Sequence, residues 1–230
     1  MTYSRYGVYF TPRPGNFADA GASWLGWDIA RGEALDSPEP KLTVRPRKYG
    51  FHATMKPPFF LASGQSEPGL RRALASLCRD LRPVPLEGLK ISKIGSFLAL
   101  TALGDQTELA ELAASTVRDL DVFRAPPSDE ELMRRRRSSL SAQQEENLKT
   151  WGYPNLMESF HFHMTLTGPV AQAEQERTGL RVKDHFAGCR LCPFLIDSLT
   201  LVGESAAGMF LEIERFSLSG SSVALPERQT

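Results

Sequence analysis

The 230-residue chain reads as an α+β protein made by internal duplication, with a polar helical insertion between the two copies. Three observations predict this. Strand and helix signals recur in a similar order on either side of the middle of the chain. A Phe-His-x-Thr string occurs twice, in GFHATMKPP (50–58) and HFHMTLTGP (161–169). Between the copies, residues 124–154 turn polar, charged and poor in β-formers.

The elements follow in order. RYGVYF (5–10) is a strand by its aromatic and β-branched content. Asn16 is positioned to cap a helix through FADAGASWLGW, after which Pro38, Pro40 and Pro46 mark an irregular loop. A second strand is expected from Tyr49 to Met55. EPGLRRALASLCRDL places Leu70, Leu74, Leu77 and Leu81 at helical spacing. LEGLKISKIG and SFLALTAL form a hairpin, and TELAELAASTVRDL is an amphipathic helix. In the insertion, SDEEL has Ser128 as N-cap with Glu131 at the third position, and SAQQEENLK repeats that logic. Strand signals return in SFHFHMTLTG, a helix follows in AEQERTGLRVKDHF, and FLIDSLTLVGE and GMFLEIERFSL are strands again. The tail after Gly220 is expected to be loose. The whole is predicted as a single bilobal domain, with lobe-forming repeats at about 1–123 and 155–220 and the insertion at about 124–154.

Composition narrows the function. With 41% hydrophobic and 23% charged residues the chain is globular. Its 27 basic and 27 acidic residues cancel, whereas a grip on long nucleic acid needs a basic excess. Any phosphate it binds is therefore expected to be small and local. No stretch approaches the ~20 apolar residues that span a bilayer, and the N-terminus lacks a signal-peptide core. Three cysteines argue against a disulfide framework, so the expected location is cytoplasmic and the expected membrane partner none. Cys189 and Cys192 form a C-x-x-C, but a zinc site needs a second ligand pair and only His185 is near. A redox site needs a helix after the first cysteine, and Pro193 is followed by a strand pattern.

The two copies align as Phe51, His52, Thr54, Met55 and Pro58 against Phe162, His163, Thr165, Leu166 and Pro169, with the histidines 163 − 52 = 111 positions apart. Four His and 13 Thr in 230 residues would give about 0.2 His-x-Thr pairs by chance, and two are present. Side chains at i and i+2 of a strand share a face, so each His points with its Thr. Lobes related by a pseudo-two-fold axis would bring both pairs to one cleft. His161 falls on the same face but aligns with Gly50, which makes it a rim residue or a partner to His163.

Two imidazoles across a cleft suit displacement at phosphorus. One, neutral, takes a proton from the attacking water while the other, protonated, gives one to the departing oxygen. The threonine hydroxyls donate to the non-bridging oxygens, where charge builds. A cyclic phosphate fits this chemistry, and no metal or other cofactor is required. The repeat is symmetric, so either histidine can be the acid.

The paired motifs in a duplicated α+β chain resemble the two-histidine (2H) phosphoesterase superfamily. The strings YGFHATMKPPF and ESFHFHMTLTGP, with RYGVYFTP and WLGWD, are similar more narrowly to the DUF1045 branch associated with phosphonate-utilisation operons. The resemblance implies a bilobal fold with two antiparallel sheets lining a cleft and helices outside. It makes His52 and His163 the acid–base pair, and Thr54 and Thr165 the phosphate binders. The branch implies a substrate from carbon–phosphorus lyase chemistry, 5-phosphoribosyl 1,2-cyclic phosphate, opened to a ribose bisphosphate. Such a substrate carries a second phosphate and needs a cation. Lys56, expected on the same strand face as Thr54, is the first candidate. Arg45, Arg47 and Lys48 are loop candidates, and Tyr49 and Tyr153 are expected to line the sugar side. The run Arg134 to Arg137 is either a phosphate contact or a solvated helix face.

Three rivals stand beside this reading. His161-x-His163 is a metal arrangement if Glu158 supplies a third ligand. A cleft of this kind also suits a non-catalytic module that binds a cyclic nucleotide or an RNA end. Among enzymes, the runner-up is a 2′,3′-cyclic phosphodiesterase or 2′,5′-linkage enzyme acting on RNA ends, against which the insertion, as a lid, would exclude a long strand.

Overall fold

A computed structural model describes residues 2–136 and 139–220. Arg137 and the tail beyond Gly220 lie outside the described residues. The first strand, β1 (Tyr6–Phe10), is buried along its whole length, as its apolar content requires. Helix α1 (Asn16–Leu25) follows and ends on Gly26, which takes the left-handed conformation (φ 80°) and returns its N–H to the Ala22 carbonyl. Asn16 is the first helical residue and not the cap; its amide donates to the Gly188 carbonyl instead. A short ribbon, β2 (Trp27–Asp28) with β3 (Glu33–Ala34), precedes α2 (Val44–Arg47), one helical turn where an irregular loop was expected.

The motif strand β4 (Ala53–Phe59) starts later than the expected Tyr49. Tyr49 and Gly50 instead close a turn, donating to the Pro46 and Arg47 carbonyls, and Gly50 has φ 70°, which halts extended structure there. The strand then passes through Pro57 and Pro58, where the register to β1 slips: Tyr6 faces Phe59 and Val8 faces Lys56. The prolines sit in that bulge, where their missing N–H groups break no regular ladder.

Helix α3 (Glu67–Asp80) is capped by Ser66, which accepts from Gly69 N–H, and buries Leu70, Leu74, Leu77 and Cys78. After β5 (Val84–Leu86) come the predicted hairpin β6 (Gly88–Ile94) and β7 (Phe97–Leu103), then α4 (Thr107–Asp119). The insertion is helical as expected. Helix α5 (Asp129–Arg135) is capped by Ser128, and α6 (Ala142–Trp151) by a Ser141–Gln144 capping box. The second motif strand β8 spans only His163–Thr165, shorter than expected at both ends, and a 3₁₀ turn at Met157–Ser159 precedes it. Helix α7 (Gln175–His185) and strands β9 (Phe194–Ile196), β10 (Ser198–Glu204) and β11 (Phe210–Ser217) complete the described chain.

The main sheet is antiparallel throughout and runs β11-β10-β1-β4-β8-β7-β6. Its two halves, β11-β10-β1-β4 and β8-β7-β6, meet through a single register pair, Ala53 with Met164, so that two antiparallel arrays join into one sheet. Each half mixes strands from both sides of the insertion, and the lobes are therefore not the contiguous segments 1–123 and 155–220. Helix α3 packs on β10 and β11, α4 on β4, and α7 on β6. Val8, Phe10, Ala53, Met55, Leu100, Met164 and Leu201 join the helix residues in the principal core. Alternation then turns Tyr9, Thr54, His163 and Thr165 to the opposite face. There Tyr9, Ile29, Val202 and Phe210 form a second, smaller cluster.

Candidate active site

The two motifs sit on adjacent strands at the seam of the sheet. Thr54 lies in β4 directly after Ala53, and Met164, the partner of Ala53, is flanked by His163 and Thr165 in β8. Burial of Ala53 and Met164 on the helix face forces their neighbours onto the cleft face. The end of β8 is held from behind, where Trp24 Nε1 donates to the Leu166 carbonyl at 2.8 Å.

Both histidines are oriented by the same device. His52 Nδ1 lies 2.9 Å from the Gly50 carbonyl and His163 Nδ1 lies 2.8 Å from the His161 carbonyl. A carbonyl only accepts, so each Nδ1 carries the hydrogen and, in the neutral ring, each Nε2 is left with its lone pair. His52 Nε2 lies 3.1 Å from Thr54 Oγ1, which donates to it. Thr165 makes no hydrogen bond to the described residues through its hydroxyl. His161 is exposed and serves His163 through its backbone.

The surroundings of the two rings differ. Tyr9, fully buried, stacks on His52 with ring centroids 3.9 Å apart and planes 26° from parallel. Burial lowers the His52 pKa to about 4; the bond to Gly50 opposes this and the nearby His163 charge adds to it. The corresponding neighbour of His163 is Phe97, at 6.1 Å and 52°.

A cavity of about 420 Å³ is lined by His52 and Thr165 together with Arg45, Tyr49, Ser96, Phe97 and Gly168. Arg45 is exposed and forms no ion pair or hydrogen bond with the described residues. Tyr49 stands 6.2 Å from His52, braced by stacking on Phe210.

The other cation candidates are committed elsewhere. Lys56 is a correction. It was expected beside Thr54, but Tyr9 pairs with Thr54 while Val8 pairs with Lys56, so the bulge turns it to the helix face. There its ammonium donates to the Val117 carbonyl at 3.0 Å and to Asp121 at 3.1 Å, and the side chain is 2% exposed. Burial lowers its pKa to about 8 against the pull of Asp121. Arg47 is a second correction: its guanidinium ties down Leu25 O at 2.9 Å and Thr43 Oγ1 at 3.3 Å. Lys48 is held by Glu204 at 2.6 Å, and Glu204 also takes Arg5. Burial would raise the Glu204 carboxyl, but these two cations outweigh it and hold it down to about 2.

Tyr153, expected to line the sugar side, is not among the residues lining the cavity with His52 and Thr165 and instead lines a separate one with Phe60, Arg124 and Trp151. Arg135 stacks over the Tyr153 ring at 4.5 Å and pairs with Glu131 at 2.6 Å, so one residue of the arginine run packs inward. Arg134 is exposed and lies beside Glu131, and Arg136 pairs with Glu145 within the insertion. Neither of these two pairs includes a histidine.

His185 bonds to the Ala20 carbonyl and Ser23 of α1, and Cys189 and Cys192 are free thiols. Among the described residues, no three His, Cys, Asp or Glu side chains cluster to hold a metal. No described helix is long and apolar enough to cross a membrane. Sequence reasoning missed Tyr9. It stood in a strand already recognised, but nothing in RYGVYF reveals that β4 will pair beside it.

Comparison with known proteins adds relatives. The chain is 36% identical over 246 residues to ribose 1,5-bisphosphate phosphokinase PhnN of Janthinobacterium sp. (strain Marseille), covering 97% of this chain and 53% of that protein. It is 31% identical over 211 residues to the protein of the same name from Laribacter hongkongensis (strain HLHK9), covering 89% and 49%. The chain thus spans about half the length of the curated relatives it matches. E. coli LigT complexed with NADP+ aligns over 95% of this chain and 99% of that one, with 13% identity and a TM-score of 0.44. The Thermus thermophilus protein TT0787 aligns over 94% and 99%, with 15% identity and a TM-score of 0.43. Residues 54–211 match the model of a family described as "Protein of unknown function (DUF1045)", a range that takes in Thr54, His163 and Thr165 and begins two residues after His52.

Proposed function

The chain belongs to the DUF1045 family, and we propose that it is a metal-independent phosphodiesterase that opens a small cyclic phosphate by two-histidine acid–base catalysis. One observation carries this reading. His52, just before β4, and His163, in the adjacent β8, each have Nδ1 tied to the carbonyl two residues before, which leaves each Nε2 clear of the backbone, that of His52 against the Thr54 hydroxyl. One Nε2 takes the proton of the attacking water and the other protonates the departing ring oxygen, so neither water nor alkoxide has to bear full charge. Thr54 and Thr165 then offer their hydroxyls to the non-bridging phosphate oxygens, with Thr54 turning from His52 to the substrate.

The favoured substrate is 5-phosphoribosyl 1,2-cyclic phosphate, with ribose 1,5-bisphosphate as product. The relatives are named for a kinase of ribose 1,5-bisphosphate and are about twice as long as this chain, and a phosphodiesterase that supplies the bisphosphate is a consistent companion to that activity. Arg45, in the same cavity as His52 and Thr165, is the cation for the second phosphate.

The test is turnover. With excess EDTA present, the purified protein is expected to convert 5-phosphoribosyl 1,2-cyclic phosphate to the bisphosphate, followed by phosphorus NMR. His163→Ala is expected to lower the rate by about 10²–10⁴-fold. Nucleoside 2′,3′-cyclic phosphates are the comparison, and a preference for them would move the assignment to RNA ends. No turnover of any cyclic phosphate by folded protein would remove the enzyme reading in favour of a binding module. Arg45→Ala is expected to raise KM about tenfold or more for the doubly phosphorylated substrate and to leave that for a nucleoside 2′,3′-cyclic phosphate almost unchanged. Equal effects on the two would mean that Arg45 does not read the second phosphate.

A further inference from the structure

His52 and His163 are alike in sequence and unlike in surroundings. Resting on the phosphodiesterase reading above, we infer that Tyr9 is a positioning residue that breaks the symmetry of the pair: its ring holds His52 as the neutral base beside the attacking water and leaves His163 as the acid beside the departing oxygen.

Tyr9 is 0% exposed, and its ring covers one face of the His52 imidazole at 3.9 Å. It arrives there by register, since Tyr9 and Thr54 are cross-strand partners on the cleft face. Water is thereby excluded from that side, and a desolvated ring resists taking up charge. The titratable groups facing His52 are Tyr9 from β1, Tyr49 and Arg45 from the segment before β4, and His163 from β8. None is an acid that would hold an imidazolium, and no described carboxylate bonds to His52. The direction of its shift, down from 6.5, agrees with this geometry. His163 has no aromatic ring stacked on it among the described contacts, and its Nε2 takes no hydrogen bond from Thr165.

The Tyr9 hydroxyl is buried and has no hydrogen-bond partner among the described residues. The ring therefore positions His52 and the hydroxyl does not, and phenylalanine should serve in its place.

The proton path follows. His52 begins neutral and His163 begins protonated. The water oxygen forms its bond to phosphorus as its proton passes to His52 Nε2. The phosphorus–oxygen bond of the ring breaks as His163 Nε2 gives its proton to the leaving oxygen. One water has then been added across one ester bond, and exchange of a proton with solvent at each histidine restores the starting state.

The first experiment is NMR titration of the histidines, which needs no turnover. Wild-type His52 is expected to titrate near 4. Tyr9→Phe is expected to leave that value in place, while Tyr9→Ala raises it toward 6.5, with the acid limb of kcat/KM moving up alongside. Tyr9→Leu retains apolar volume and is expected to give a smaller rise in the same direction. It stands in if the alanine variant does not fold. A wild-type His52 titrating near 6.5, or an unmoved His52 in folded Tyr9→Ala or Tyr9→Leu, overturns the inference.

The second experiment separates acid from base with 4-nitrophenyl phosphodiesters, whose leaving group departs without a proton. His163→Ala is expected to recover to within about tenfold of wild type on the aryl ester, and His52→Ala to remain down by about 10²-fold or more. The opposite pattern, or rescue of both or neither, overturns the assignment. Wild-type protein that opens no cyclic phosphate is a failure of the underlying reading and is seen before any variant is made.

Discussion

Burying an imidazole without a carboxylate partner gives His52 a consequence for stability as well as chemistry. The unfolded chain takes up this proton near 6.5 and the folded chain only at about 4. Between those values the unfolded state binds more protons, so stability must fall as pH drops from 6.5 to 4 and be fully present above 6.5. The expected loss from this group is on the order of 2 kcal/mol, because the ring is partly open to the cleft. Urea unfolding of wild type and His52→Asn at pH 7.5 and 4.5 checks it. The variant should lose less stability on acidification, and an equal loss in both would mean that His52 titrates normally. Lys56 shows the same physics with the opposite outcome for function. Its amine is bonded to Val117 O and Asp121, so a residue that alternation assigns to the cleft becomes a clamp between β4 and α4.

At the scale of elements, the turn before β4 sets the orientation of His52. Gly50 supplies the carbonyl that orients His52 and does so with φ 70°. A Cβ there would also lie 2.6 Å from Ile29 Cβ. Gly50→Ala is therefore expected to cost about 1–3 kcal/mol through backbone strain and the clash, and to lower kcat with it. A thermal melt and a rate measurement on one preparation check both effects, and an alanine variant with wild-type stability would show that the turn can relax. The double proline Pro57–Pro58, beyond the Met55 at which the strand was expected to end, lies inside β4 because the β1–β4 bulge leaves no regular ladder for it to break. The insertion helices were legible because their signals are local: Ser128 and Ser141 both accept the N–H three residues on.

At the scale of the whole molecule, the cleft depends on a narrow join. The halves of the sheet share one register pair, Ala53 with Met164, and both side chains are buried against the helices. Met164 is fully buried between His163 and Thr165, so its packing holds the second motif against the first. Met164→Ala is expected to cost about 2–4 kcal/mol and to lower activity more than that loss explains, because the distance between the histidines relaxes with the cavity. Urea unfolding and kcat measured well below the melting temperature separate the two. Full activity in a destabilised variant would show that the seam sets stability alone. The mixed origin of the strands in each half also means that neither repeat carries a complete half-sheet, so the halves are expected to form together.

The sequence by itself determined the α+β class and most of the helices, with the Ser128 and Ser141 caps, because these are written in local spacing, and it set out the repeated His-x-Thr string on which the proposed site rests. His52, Thr54, His163 and Thr165 needed only the two-residue period of a strand to be placed on one face. The tertiary structure alone decided what depends on which strand lies beside which. It merged two expected sheets into one, took Lys56, Arg47 and Lys48 into structural pairs, left Arg45 in the cleft, and laid Tyr9 against one histidine and not the other. The physical reason is that register and bulges arise from packing between segments far apart in the chain. A symmetric pair of motifs therefore acquired asymmetric surroundings that no local pattern encodes.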